Sequence, residues 1–370
     1  MKILFVCDWD YSLLWPKIAS KLIKEKHISS CSALIIGEIY YDQLIKTDKT
    51  FKNIYCMQDF TEVVPKHIPN MSNRLKEIEI KYSETSLWRF IWADRSWVNS
   101  PYEEIKKRLI VNFNFFEKLM SDEKPDLIIT NAYGSMPHLI MYEVATKYNI
   151  KVIRPLTTRI KDFYFFSHSA MENEDFLINK NTTTTSNKNS KKQAIDFIET
   201  FRSSYSQPEY QKYQSQTHKV NIGHFYRFFR YCFQYWFRDT FKNDHSKKNP
   251  IKRLLEEIKW RIYRLYITKI YHWDDYSSET RYVYFPLQFQ PEMSTMLYAP
   301  YYLNQISVIE NLSKSLPIDF KIIVKEHPGM LGKRSSDYYK HISKLSNVDL
   351  INPFTNSMNI LNKCNFVFTM

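Results

Sequence analysis

The chain has 370 residues, 44% of them hydrophobic and 16% aromatic, enough for two cores. Its five glycines (Gly37, Gly134, Gly223, Gly329 and Gly332) form no G-x-G-x-x-G or G-x-x-x-x-G-K-[ST] cluster, which excludes dinucleotide oxidoreductases and P-loop enzymes. A formal net charge of +13 points to an anionic partner: a phosphate-bearing ligand, anionic lipid or nucleic acid.

The five cysteines (Cys7, Cys31, Cys56, Cys232, Cys364) show no C-x-x-C spacing and read as reduced thiols rather than a zinc site or disulfide frame. No metal and no cofactor is expected. The N-terminal apolar run ends at Asp8, too short for a signal peptide, and reads as a buried first strand. No stretch of about 18 uncharged apolar residues occurs, so nothing is expected to span a bilayer and a cytoplasmic location is the default.

In chain order, Ile3–Cys7 predicts a strand and Leu13–Lys26 a helix, with Pro16 tolerable only in the first turn. Ala33–Ile36 predicts a strand ended by Gly37. Ile105–Met120 predicts a helix, Asp126–Thr130 a buried strand, Pro137–Tyr148 a helix and Lys151–Ile153 a short strand. Such alternation implies right-handed crossovers and a parallel sheet, with ligands beyond the carboxyl ends of the strands. Asn131-Ala132-Tyr133-Gly134-Ser135 lies at one such end, as a site or as a plain turn. The polar tract Asn181–Lys192 reads as an exposed loop.

Residues 223–271 hold 12 Lys/Arg against four Asp/Glu, a net +8. At 100° per residue, Phe225, Phe229, Cys232 and Trp236 share one helical face, opposite Arg227, Arg230, Gln234 and Arg238. A second helical run, Ile251–Tyr271, places Arg261 and other cations among Trp260, Tyr263 and Tyr266. Two readings fit this pattern: contact with an anionic membrane surface through Arg227, Arg230, Trp236, Arg238, Trp260 and Arg261, or helices packed on a domain with solvated arginines. No recognisable nucleic-acid module accompanies the pattern, and no nucleic-acid partner is expected.

From Arg281 the α/β rhythm returns. Strands are predicted over Tyr282–Phe285, Phe320–Val324, Val348–Ile351 and Phe366–Thr369, with helices over Tyr302–Ser315, Ser336–Leu345 and Ser357–Lys363. The chain closes at the last strand without a covering helix, so this half reads as truncated. Two segments follow strands where an α/β ligand site belongs. One runs through Gln288, Gln290, Pro291 and Glu292; the other is Lys325-Glu326-His327-Pro328-Gly329. Lysine and histidine at a strand end suit a nucleotide phosphate and a leaving-group oxygen.

The pair Phe-Pro-Leu-Gln-x-Gln-Pro-Glu (residues 285–292) and Lys-Glu-His-Pro-x-x-x-Gly-x-Arg (325–334), followed by Asn347-Val348, resembles the capsule polysaccharide biosynthesis family, which includes bacterial capsule β-Kdo transferases. Weaker matches are Trp88–Arg95 and Arg159-Ile160-x-Asp162. The resemblance implies a GT-B-like enzyme: an N-terminal acceptor-side Rossmann-like domain (1–170), a linker with amphipathic helices (171–280), and an incomplete C-terminal nucleotide-sugar-binding domain (281–370). It implies a donor such as CMP-Kdo held by Gln288, Gln290, Pro291, Glu292, Lys325, Glu326, His327, Pro328 and Arg334. A lipid-linked glycan acceptor, and a peripheral position at the inner face of the plasma membrane, complete the expectation. The family continues with a Thr/Ser-Gly loop where this chain reaches Phe368-Thr369-Met370, which implies weak donor binding and little turnover. Candidate catalytic groups are His327 and the carboxylates Asp8, Asp10, Asp94 and Asp162, each of which has an alternative reading as a cap, a turn or a local ion pair. A polyol-phosphate transferase of the teichoic-acid type and a non-catalytic capsule assembly or export component are the competing readings.

Overall fold

The computed structural model describes residues 1–8, 11–36, 49–57, 68–82, 86–131, 134–157, 164–168, 188–203, 222–237, 249–269, 271–277 and 280–369. Asp10, Asp162 and Arg238 lie outside these residues, as does Arg159-Ile160. The chain divides into two compact units, Met1–Asn181 with Trp236–Lys247, and Thr182–Tyr235 with Lys248–Met370. Both are of the α/β class.

The first unit is built on a six-stranded sheet of order β3-β2-β1-β4-β5-β6: β1 (Lys2–Val6), β2 (Ser30–Ile35), β3 (Ile54–Cys56), β4 (Leu127–Ile129), β5 (Lys151–Thr157) and β6 (Tyr164–Ser167). The first five run parallel and β6 pairs antiparallel to β5. The order 3-2-1-4-5 is that of a Rossmann-like sheet, and its direction reverses between β1 and β4. Ile3, Leu4, Phe5 and Val6 are all buried, as expected of a central strand covered on both faces. The helices are α1 (Tyr11–Lys24), α2 (Met71–Tyr82), α3 (Trp88–Trp92), α4 (Tyr102–Glu123) and α5 (Met136–Lys147). Because α1 starts at Tyr11, two residues before the sequence-based start, Pro16 lies inside the helix and beyond its first turn. The Trp88–Arg95 match opens with α3, whose Phe90 and Ile91 are core residues.

The second unit carries α6 (Lys188–Ser203), α7 (Ile222–Phe237) up to Tyr235, and α8 (Pro250–Lys269), then a parallel four-stranded sheet of order β10-β7-β8-β9. Its strands are β7 (Arg281–Pro286), β8 (Phe320–Lys325), β9 (Val348–Ile351) and β10 (Phe366–Val367), all pairing in parallel. Between them lie α9 (Met293–Met296), α10 (Gln305–Ser315), α11 (Ser336–Ser343) and α12 (Ser357–Leu361), with short 3-10 turns at Pro300–Tyr302 and Pro328–Met330. The tract expected to be a loop to Lys192 is helical from Lys188 onward, because the apolar residues Ile195, Phe197, Ile198 and Phe201 that follow carry one helix back through it.

The core of this unit joins Val283 and Phe285 of β7 to Ile322 and Val324 of β8, Ile309 of α10, Tyr339 and Ile342 of α11, and Ile267 of α8. Burial of each such side chain contributes about 1.5–3 kcal/mol. Two contacts fix α8 here. The Trp260 indole N–H donates to the Leu331 carbonyl (2.9 Å). Gly332, at φ +83°, lies so close to Arg264 that an added Cβ would sit 2.8 Å from its Cβ and backbone nitrogen. Only glycine satisfies both the conformation and the approach.

Candidate active site

The loops after β7 and β8 meet at the carboxyl ends of the second sheet. The backbone ladder continues past the strands, with Leu287 N–H donating to the Lys325 carbonyl (2.9 Å). Beyond it, the Gln305 side chain clamps both backbone groups of Gln288. It accepts from the Gln288 N–H (2.7 Å) and donates to the Gln288 carbonyl (3.2 Å). Gln288 in turn donates its side-chain amide to the Pro286 carbonyl and to Thr369 Oγ1, each at 3.1 Å. Gln290 donates to the Leu303 carbonyl (2.8 Å), and its peptide bond to Pro291 is cis.

Arg334 ties the two motifs together. Its guanidinium donates to the Gln288 carbonyl (2.6 Å) and to Gln290 Oε1 (3.4 Å), and its Nε lies 2.8 Å from Glu326 Oε2. Glu326 also accepts from the His327 backbone N–H (2.7 Å) and the Tyr339 hydroxyl (3.0 Å). Burial pushes the Glu326 carboxyl up; the Arg334 charge and these hydrogen bonds pull it back. Gln288, Gln290, Glu326 and Arg334 therefore hold one another, and they shape the loop pair rather than stand open to a ligand.

Lys325 and His327 have a different environment. Lys325 is 9% exposed, its ammonium donates to Ser357 Oγ (2.6 Å), and no carboxylate pairs with it among the described residues. Burial alone pushes its pKa down to about 8. His327 is half-buried, its ring edge-on to Phe289 with centroids 5.5 Å apart. Its Nδ1 accepts the Gly329 backbone N–H (3.0 Å), so the neutral imidazole carries its proton on Nε2. Burial lowers the His327 pKa; Glu292 opposes this, and the charges of Lys325, Lys333 and Arg334 reinforce it. Pro328 opens the 3-10 turn that His327 caps. Pro291 and Glu292 are exposed at the mouth of the β7 loop.

A second polar cluster surrounds the start of α5 in the first unit, at the β1/β4 switch point. Asp8, Asp94 and His138 are all buried. Asp8 accepts from the Ile36 N–H (2.9 Å) through Oδ1 and lies 3.0 Å from His138 Nε2 through Oδ2. His138 Nδ1 is 2.6 Å from Ser135 Oγ. With Asp8 ionised, Nε2 carries the proton and Nδ1 accepts from the serine hydroxyl. Asp94 accepts from the Met136 N–H (2.9 Å) and the Ser96 N–H (2.8 Å), and burial pushes its carboxyl up against those bonds. The structure thus brings Asp8 and Asp94 together at the N-terminus of one helix.

Sequence reasoning missed His138, Gln305, Tyr339 and Ser357. His138 lies three residues after Ser135 in the spacing of a capping pair, and Gln305 and Ser357 each follow an asparagine N-cap. Those local signals predict helix starts, not site contacts.

No family model matches the chain, and no curated protein matches it. Among solved structures it is similar to UDP-GlcNAc 2-epimerase from Neisseria meningitidis bound to UDP-GlcNAc, at 13% identity and TM-score 0.25, covering 100% of this chain and 77% of that one. It is likewise similar to the enzyme from Methanocaldococcus jannaschii at 11% identity and TM-score 0.24, covering 100% and 78%. A glycosyltransferase from Rickettsia africae matches at 12% identity and TM-score 0.22, covering 99% and 72%. Likeness at these scores assigns neither fold nor activity; the fold rests on the strand order and pairing themselves.

Proposed function

We propose that the chain is a glycosyltransferase of the capsule polysaccharide type, which binds the phosphate of a nucleotide-activated sugar at the carboxyl ends of β7 and β8. The observation that carries this reading is the buried ammonium of Lys325, unpaired by any described carboxylate, one residue from the braced Glu326 and two from His327. A buried cation without a counter-charge is costly, and an anionic ligand offsets that cost.

In this reading Lys325 neutralises the donor phosphate. His327 donates its Nε2–H to the departing phosphate oxygen. Burial and neighbouring cations keep the imidazole neutral, so its contribution is a hydrogen bond to developing charge rather than delivery of a proton. A phosphate leaving group needs no proton to depart at neutral pH. Arg334, Glu326, Gln288 and Gln290 act as positioning residues that hold the two loops in register.

The donor is proposed to be CMP-Kdo or a similar CMP-sugar, and the acceptor a lipid-linked glycan. The phosphate cradle itself does not distinguish a sugar from a polyol, which keeps a teichoic-acid-type polyol-phosphate transfer as the second reading. Incubation with CMP-sugars in parallel with CDP-polyols, with nucleotide binding and release followed in each, separates them. Binding of CMP-sugars that is lost in Lys325→Met supports the first reading, and selective binding of CDP-polyols replaces it with the second.

A further inference from the structure

Helices α7 and α8 carry apolar faces whose described residues are largely exposed. At 100° per residue, α7 has three sectors. Tyr231, Tyr235, Phe228 and Cys232 occupy a sector that is buried or half-buried, with Arg253 of α8 lying 4.4 Å over the Tyr231 ring. Arg227, Arg230 and Gln234 occupy the second. The third holds Phe225, Tyr226, Phe229, Phe233, Trp236 and Phe237, each between 56% and 73% exposed. Of the four residues expected to share one face, Phe225, Phe229 and Trp236 lie in this solvent-facing sector, whereas Cys232, at its edge, is buried.

Helix α8 shows the same arrangement with its docking settled. Trp260, Tyr263, Arg264 and Ile267 face the second unit's core. The opposite side carries Ile251, Leu255, Ile258, Ile262 and Leu265, each between 46% and 64% exposed. A surface helix anchored on one side normally presents polar groups on the other. Two neighbouring helices that both violate this mark an interaction surface.

We propose that these two faces lie against an anionic phospholipid bilayer. The fringe of the patch selects that occupant. Apart from Arg264, which faces the core, the helices hold seven Lys/Arg (Arg227 and Arg230 on α7; Lys252, Arg253, Lys259, Arg261 and Lys269 on α8) against the two carboxylates Glu256 and Glu257, and α7 has no acidic residue. Nine of the 16 residues of α7 are aromatic, a composition suited to the headgroup boundary, where rings insert shallowly and arginines meet lipid phosphates. Aromatics and arginine are enriched at protein–protein interfaces as well, so a second copy of the chain is the occupant that the test must separate from lipid. No helix among the described residues is long and apolar enough to cross a membrane, so the contact is one of lying on the surface. The proposal does not depend on the reaction assigned to the Lys325 cradle, and its test reads lipid binding alone.

The test is flotation of the full chain with phosphatidylcholine vesicles, with and without phosphatidylglycerol, at low and high salt. Three proteins are compared: the wild type, Phe229→Ser/Phe233→Ser and Arg227→Glu/Arg230→Glu. All four positions are exposed, so the variants keep the fold, which circular dichroism verifies. The wild type floats with the anionic vesicles and is released by salt, and each double variant binds at least about tenfold more weakly. The absence of flotation with anionic vesicles overturns the proposal, as does flotation unchanged in both variants. A dimer in solution that Phe229→Ser/Phe233→Ser dissociates, without vesicle binding by the wild type, also overturns it and assigns the patch to a second copy.

Discussion

Arg334 Nε lies 2.8 Å from Glu326 Oε2, with both side chains almost wholly buried. The same guanidinium reaches the Gln288 carbonyl 46 residues away in sequence. Removal of one partner leaves the other as an isolated buried charge. Arg334→Met is therefore expected to lower stability by about 3–5 kcal/mol, and the double variant Arg334→Met/Glu326→Gln to recover most of that loss. Urea unfolding of the four proteins in the cycle measures the coupling; an additive cycle contradicts the pairing.

Lys325 opposes folding through its charge. Its folded pKa is about 8 against about 10.4 for a free lysine, so between these values the unfolded chain binds more protons. Stability therefore rises with pH across that window, and below pH 8 the full cost applies. Lys325→Met is expected to stabilise the protein by an amount on the order of 3 kcal/mol at about pH 7, with the gain fading toward pH 10. Urea midpoints at the two pH values check the direction, and a destabilised Lys325→Met protein at neutral pH contradicts it.

Gly332→Ala places a Cβ against Arg264 at a positive φ. A loss of about 1–3 kcal/mol is expected, with faster amide exchange along α8. Equal exchange in the two proteins would show that α8 is not held at this point.

The first unit's cluster separates two kinds of contact. Asp8→Ala removes the partner of both the Ile36 N–H and the buried His138, for an expected loss of about 2–4 kcal/mol. Ser135→Ala removes one hydroxyl from a half-buried helix start, for about 1 kcal/mol or less. Thermal unfolding of the two variants decides, and a Ser135→Ala loss that equals the Asp8→Ala loss contradicts the ranking.

Much of this architecture was legible in the sequence because its strands are buried on both faces. Runs such as Ile3–Val6 and Ile322–Val324 have no competing helical reading, and the loops after β7 and β8 stood out as proline-punctuated polar segments. Short edge elements were not legible. β3 has only three residues, and β6 alternates exposed and half-buried positions before Ser167. The site's internal economy was hidden for a different reason. Gln288, Gln290, Glu326 and Arg334 read as ligand contacts when seen singly, and only the fold shows that they satisfy one another. His138 was silent because its partner Asp8 lies 130 residues away in sequence.

In the proposed function, Lys325 is the charge that receives a nucleotide phosphate. The decisive measurement is calorimetric titration of CMP into the wild type and into Lys325→Met, repeated at pH values on either side of about 8. Binding is expected with proton uptake near and above pH 8, because a phosphate recharges Lys325, and with an affinity that declines as pH rises further. In Lys325→Met the affinity falls by roughly 10- to 100-fold and the linked proton uptake disappears. Equal affinities in the two proteins, or wild-type binding with no proton linkage, would contradict it.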